Sequence, residues 1–227
     1  MKKLIQAAVL SVGAGALALG GASAAHAAGT YVSIGGVKTV ATVPYTATNS
    51  TAIAFNTNFG TKMTCTSSSI SGNINRGVEV TPSNTVGTIG SLGFSGCTMG
   101  IFGLNVSMSG GNINVRTDPA SAGADVPVTI TGISASIAAT SGGTCTFNAT
   151  GSLKAVIKAG SGSVDGTLEL VSATFAPDTN FDLTISNVNG CGGEVVNGDL
   201  AGAWNSNKTS GIPSKFTIDT AGVLSHS

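Results

Sequence analysis

The chain has 227 residues, ten basic and ten acidic, and only 9% of it is charged, against about 25% in an ordinary soluble domain. That composition argues against a coiled coil, a helical array or a basic nucleic-acid-binding tail. Its 33 glycines and 6 prolines stay below the ~25–30% share of a low-complexity disordered chain, while an apolar share of 41% supports folding.

Met1-Lys2-Lys3, followed by the small-residue apolar stretch Leu4 to Leu19, reads as a signal peptide with Ala25-His26-Ala27 as its A-x-A cleavage site. Residues 1–27 are therefore expected to be removed, and 28–227 form one β domain of roughly 200 residues, enough for one sizeable core or two small ones. Loss of Lys2 and Lys3 leaves the acids in slight excess, so neither nucleic acid nor an anionic bilayer is expected as a partner. No Cys stands at the cleavage point to carry a lipid, and no transmembrane helix is expected in the mature chain.

Beyond the signal, Val, Ile, Leu, Phe and Ala alternate with Ser, Thr and Asn at period two, the signature of half-buried strands. Val37 to Tyr45 and Ile53 to Phe59 come first. Phe102 to Met108 is the bulkiest run, with Phe102, Leu104, Val106 and Met108 on one face. Ser109-Gly110-Gly111-Asn112 reads as a hairpin turn before Ile113 to Thr117, and the Asp118 to Asp125 linker makes 118–126 the candidate boundary between two lobes. Val126, Val128 and Ile130 then hold the even parity while Ile133, Ala135 and Ile137 hold the odd one. A β-bulge or sharp bend is expected at Thr131-Gly132, because a one-residue slip would otherwise turn the apolar face to water.

After the turn Ser141-Gly142-Gly143, residues Cys145, Phe147 and Ala149 lead into Leu153, Ala155, Ile157 and Ala159 on one parity, with polar residues on the other: one buried face and one wet face. Ala159-Gly160-Ser161-Gly162 turns the chain into Val164 to Phe175. Phe181 to Ile185 follows, with Phe181, Leu183 and Ile185 as a second bulky stripe, and Phe216 to Ile218 closes the series.

Cys65, Cys97, Cys145 and Cys191 all fall in the exported portion, and an even count there implies two disulfides. Three pairings are possible. Cys65–Cys97 with Cys145–Cys191 is favoured, since each closes a loop within one half of the chain. Zinc fails on spacing, because no two of these cysteines lie two to four residues apart.

The chemistry of enzymes is thin. His26 leaves with the signal and His226 is the penultimate residue of a tail expected to fray, so a nucleophilic triad lacks a base. No phosphate loop or dinucleotide fingerprint occurs, and no cofactor is implied. Ten carboxylates leave a carboxylate-dependent glycan hydrolase as the enzymatic alternative, although only Trp204, Tyr31 and Tyr45 could stack on a sugar. Asp178, Asn180 and Asp182 have the D-x-N-x-D spacing that opens a calcium loop; Leu183 stands where the turn needs Gly, which excludes an EF-hand and leaves a looser calcium site as the metal candidate. Trp204 is a candidate ligand platform.

Gly143-Thr144-Cys145-Thr146-Phe147 with Thr150-Gly151, Asn187-Val188-Asn189-Gly190-Cys191, the Thr-rich strands and the signal ending Ala25-His26-Ala27 resemble a loose group of exported actinobacterial β-rich proteins without an assigned activity. The resemblance implies a Gram-positive secreted or envelope setting and two intrachain disulfides, with no known catalytic residues to carry over.

The expected fold is an antiparallel β-sandwich or β-barrel of about ten to twelve strands, with two small Ig-sized β lobes as the alternative. The expected function is non-enzymatic binding or surface assembly outside the cell or at its envelope, with a hydrophobic ligand or a cell-surface component as partner and self-association open. Phe102, Leu104, Val106, Met108, Phe181, Leu183 and Ile185 are the candidate ligand contacts, unless both stripes serve ordinary core packing. A pore-forming or outer-layer barrel is the second reading, although lipid-facing stripes with aromatic girdles are missing.

Overall fold

Period-two patterning becomes an all-β structure. The computed structural model describes residues 29–49, 52–117, 119, 123–161, 163–170, 182–204 and 214–227; the expected signal peptide lies outside the described residues. Among these there is no helix. Sixteen strands follow in chain order: β1 (Val32–Ile34), β2 (Ala41–Asn49), β3 (Ile53–Thr57), β4 (Lys62–Cys65), β5 (Ser67–Arg76), β6 (Thr85–Ser95), β7 (Cys97–Met99), β8 (Phe102–Ser109), β9 (Asn112–Val115), β10 (Val126–Ser141), β11 (Thr146–Ser161), β12 (Val164–Leu170), β13 (Leu183–Asn189), β14 (Leu200–Trp204), β15 (Ser214–Asp219) and β16 (Leu224–His226).

Fourteen strands form one antiparallel sheet that closes on itself in the order β10-β8-β7-β4-β3-β14-β13-β11-β12-β15-β2-β5-β6-β9. The long β10–β11 hairpin also pairs directly across this circuit, Val126 opposite Ile157 through Ala138 opposite Thr146. The sheet therefore encloses two compartments that share the hairpin. The first runs through β8, β7, β4, β3, β14 and β13, and the second through β12, β15, β2, β5, β6 and β9.

Both compartments draw on both halves of the sequence, since β3 pairs with β14 and β2 with β15. The 118–126 segment connects β9 to β10, which are hydrogen-bonded neighbours in the sheet. β1 and β16 join the described chain ends as a ribbon whose Val32 and Leu224 pack against Ile74, Val86, Val126 and Ile157 of the second compartment. His226 is thus not in a frayed tail: it stands opposite Val32 with 5% of its surface exposed.

The parity switch along β10 is a register shift between Ile130 and Ile133, with Gly132 at φ 73°. A residue with a Cβ pays about 1–2 kcal/mol in that left-handed region, so Gly is the residue that can absorb the extra position. Gly110-Gly111, expected as a hairpin turn, does something else. β8 and β9 both lie along the same edge of β10, β8 at Ser134 to Ser141 and β9 at Val128 to Thr131, as one strand interrupted beside the bulge. The backbones meet so closely there that a Cβ on Gly111 would collide with the Thr131 carbonyl. A further register shift at Ser71/Gly72 between β5 and β6 continues the crease into the next strands. Glycines are what such a fold line needs, because only they let backbones approach this far.

Candidate functional site

Strand alternation turns Val106 and Met108 of β8, Ala135 and Ile137 of β10, Phe147 and Ala149 of β11, and Leu183 and Ile185 of β13 into the first compartment, all buried. Register aligns them across the strands. Met108 stands opposite Ala135, Ala135 opposite Ala149, and Ala149 opposite Ile185. Two alanines at the centre of this row are too short to meet the opposite wall. The space they leave is a cavity of about 40 Å³, closed by Phe55, Met63, Met99, Val195 and Ala201. Only Asn56, Thr57 and Thr61 bring polar atoms to its wall among the described residues. By this measure one water needs ~10–15 Å³ and two to four polar partners, so walls this apolar favour a dry cavity over an ordered water cluster.

Met63, Met99 and Met108 are all the methionines of the chain except Met1, and all three face this one cavity. An unbranched thioether side chain re-packs at little cost and adapts to irregular apolar shapes, so this wall can yield to a guest where Ile or Val would not.

Of the two stripes read from the sequence, Val106, Met108, Leu183 and Ile185 meet at the cavity. Phe102 and Leu104 are buried on the same face, at 6% and 7% exposure, but lie outside its wall. Phe181 lies outside the described residues. So does the side chain of Trp204, whose backbone pairs with Ala54. Sequence reasoning missed Met63, Met99, Ala135 and Ala149.

Leu104 belongs to the row that carries the disulfides. Ile53 stands opposite Cys65, Cys97 opposite Leu104 and Leu104 opposite Ala139, and the Ala139 amide donates to the Cys145 carbonyl at 2.7 Å. The bonds are Cys65–Cys97, 32 positions apart, and Cys145–Cys191, 46 positions apart. Each is the pairing favoured from sequence, and both brace the wall of the first compartment next to the cavity. In the chain-entropy account each stabilises the fold by roughly 4 kcal/mol.

One end of this compartment is unusually apolar on the outside. The β3–β4 turn docks on the loop before β14: the Asn58 amide donates to the Leu200 carbonyl at 2.8 Å, the Leu200 amide donates to Asn58 Oδ1 at 2.9 Å, and the Thr61 hydroxyl donates to the Glu194 carbonyl. This end exposes Phe59 at 77%, Val196 at 51% and Leu200 at 39%, and Ile101 in the β7–β8 turn adds 78%. Val195, beside exposed Val196, is buried in the cavity wall.

The ion pairs lie elsewhere. Asp182 pairs with Lys154 at 3.3 Å, while Asp178 and Asn180, the rest of the candidate calcium loop, lie outside the described residues. Among the described residues no three His, Cys, Asp or Glu side chains gather as a metal site. Lys158 binds Glu169 at 2.9 Å and Asp125 at 3.8 Å, and the hydrogen bond to Glu169 holds its ammonium above the usual lysine range. Asp165 Oδ2 accepts the Thr220 amide at 2.9 Å. In the second compartment the Tyr45 hydroxyl is buried without a hydrogen-bond partner, and burial pushes its pKa above the ordinary phenol value. No helix of the described residues is long and apolar enough to cross a membrane.

No protein-family model matches the chain, and no curated protein or solved structure matches it.

Proposed function

We propose that this chain is a secreted or envelope-associated binding protein without catalytic activity, which takes the apolar end of a small ligand into the methionine-lined cavity of its first compartment. The observation that carries this reading is the convergence of all three internal methionines, with Val106, Leu183 and Ile185 from the two sequence stripes, on one apolar cavity. Methionine side chains adapt to irregular apolar shapes, which suits a wall that re-packs around a guest. The exposed Phe59, Ile101, Val196 and Leu200 at the same end favour contact with an apolar source from which a ligand is drawn. Two disulfides suit an oxidising compartment.

The cavity, at about 40 Å³, is far below the ~300–1,000 Å³ of a site that engulfs a drug-sized molecule. The guest is therefore a slim alkyl or small aliphatic group, and larger uptake requires the methionines to move. The pore-forming alternative is disfavoured by the burial pattern. A membrane barrel places apolar side chains on the outside and polar ones in the lumen, whereas β8 buries Phe102, Leu104, Val106 and Met108 and turns Asn105, Ser107 and Ser109 to solvent. Glycan hydrolysis finds little support in the described carboxylates, several of which are engaged by Lys154, Lys158 or backbone amides.

Native mass spectrometry on protein from its own secretion host, before any organic wash, tests the proposal. A bound small mass that disappears on delipidation is expected. A bare chain, in protein that also fails to take up added short-chain alcohols, would overturn it.

A further inference from the structure

We infer that the ligand of this cavity carries a cationic head on its apolar body and that Asp199 receives that head. The inference rests on the binding function proposed above and adds the ligand's chemical class. Asp199 stands immediately before β14 with 3% of its surface exposed; Leu200, next in the chain, is 39% exposed, and Ala201 is 7% exposed. Asp199 and Ala201 therefore share the inward side of the strand; Ala201 lines the cavity, and Asp199 itself stands outside its wall.

Hydrogen bonds tie Asp199 to one wall residue and to the neighbour of another. The Ile185 amide donates to its carbonyl at 2.8 Å, and the Val196 amide donates to Oδ2 of its carboxylate at 2.9 Å. Ile185 and Val195 are both cavity residues. Oδ1, in contrast, is buried with no hydrogen-bond partner.

A carboxylate taken out of water with one oxygen unsatisfied and no counter-charge is among the costliest arrangements a fold can hold. The ion pairs among the described residues involve Lys154 and Lys158 with Asp182, Asp125 and Glu169, and none includes Asp199. An ammonium on a short alkyl chain supplies both missing elements. Its chain occupies the space beside Met108, Ala149 and Ile185, and its head passes the wall beside Ala201 so that one N–H donates to Oδ1. A hydroxyl head offers the hydrogen bond without the charge, and a carboxylate head is repelled.

Calorimetric titration of the purified protein with hexylammonium chloride, 1-hexanol and sodium hexanoate tests this. Hexylammonium is expected to bind at least about tenfold more tightly than hexanol, the size of one charge-assisted hydrogen bond, with hexanoate weakest. Asp199→Asn keeps an acceptor for the Val196 amide and is expected to bring hexylammonium down to the affinity of hexanol, leaving hexanol within about twofold. Hexanol binding as tightly as hexylammonium, or an Asp199→Asn protein that keeps the ammonium preference, would overturn the assignment while the apolar site stands. Failure of all three probes to bind would overturn the binding function as well. Should Asp199→Asn fail to fold, the head-group series on the unaltered protein decides the matter alone.

Discussion

Ala149→Val is the substitution that the cavity makes most informative. Ala149 and Ala135 face each other at the centre of the Met108–Ile185 row, and both line the void. Residual cavity volume costs about 24 cal/mol per Å³, so about 40 Å³ of empty space corresponds to ~1 kcal/mol. The two added methyl carbons contribute a further ~0.8 kcal/mol each on leaving water. Some of this is lost to imperfect fit, and a net gain of about 1 kcal/mol is expected. Ala155→Val is the matched control: the same change on the same strand and parity, at a residue fully buried between Val128 and Leu170 and away from the cavity. With no void to fill, it should lose about 1–3 kcal/mol to overpacking. Urea unfolding at unchanged m-value reads both. An Ala149→Val protein destabilised as much as the Ala155→Val one would refute the cavity.

Removing Cys145 and Cys191 together by substitution with Ser is expected to cost roughly 4 kcal/mol, and removing Cys65 and Cys97 about as much; an unmoved urea midpoint for either pair would count against its role as a brace. At the crease, Gly132→Ala should cost about 1–2 kcal/mol through its left-handed φ, and Gly111→Ala clearly more, since its methyl group meets the Thr131 carbonyl. Reversal of that order in unfolding midpoints would contradict the docking of β9 on the bulge. Tyr45→Phe removes a buried hydroxyl without a partner, so a gain of about 1 kcal/mol is expected near neutral pH. Because burial raises the phenol's folded pKa above its model value of 10.0, the unfolded chain releases that proton first. Ionisation of Tyr45 therefore costs the fold nothing below pH 10, and stability is lost as pH rises from there through the folded value. Stability curves that fall equally above pH 10 with Tyr or Phe at position 45 would refute this.

Parity carried the readable part of the fold. The stripe from Cys145 to Ala159 and the switch of faces at Gly132 are properties of consecutive residues, and period-two geometry converts them directly into buried faces and a bulge. β5 and β6 were not readable that way. Ser67 to Arg76 is mostly Ser, Asn and Gly, residues without much strand preference; it becomes a strand because β2 and β6 supply ladder partners on both sides. Gly110-Gly111 carries the same local signal as a hairpin turn, and only β10 running along both flanking segments makes it an interruption in a strand. His226 is held by β1, nearly the whole chain away in sequence.

The candidate site divides in the same way. The apolar stripes ending in Met108 and Ile185 are visible in the chain, but the void between them arises from which residues stand opposite one another on four strands. Ala135 and Ala149 are ordinary until register pairs them. The one local clue was composition: three internal methionines in the whole sequence. Asp199 gives no clue in sequence, because its burial comes from the loop that folds back on Ile185 and Val196.

The most direct measurement is nuclear magnetic resonance of ε-methyl-labelled methionine during titration with 1-hexanol. Beyond Met1, which belongs to the expected signal, the chain offers only Met63, Met99 and Met108, and all three line the cavity. The account predicts that all three methyl signals shift together and saturate, and that Ala149→Val weakens the response. Three signals that stay fixed while hexanol rises to its solubility limit would contradict it.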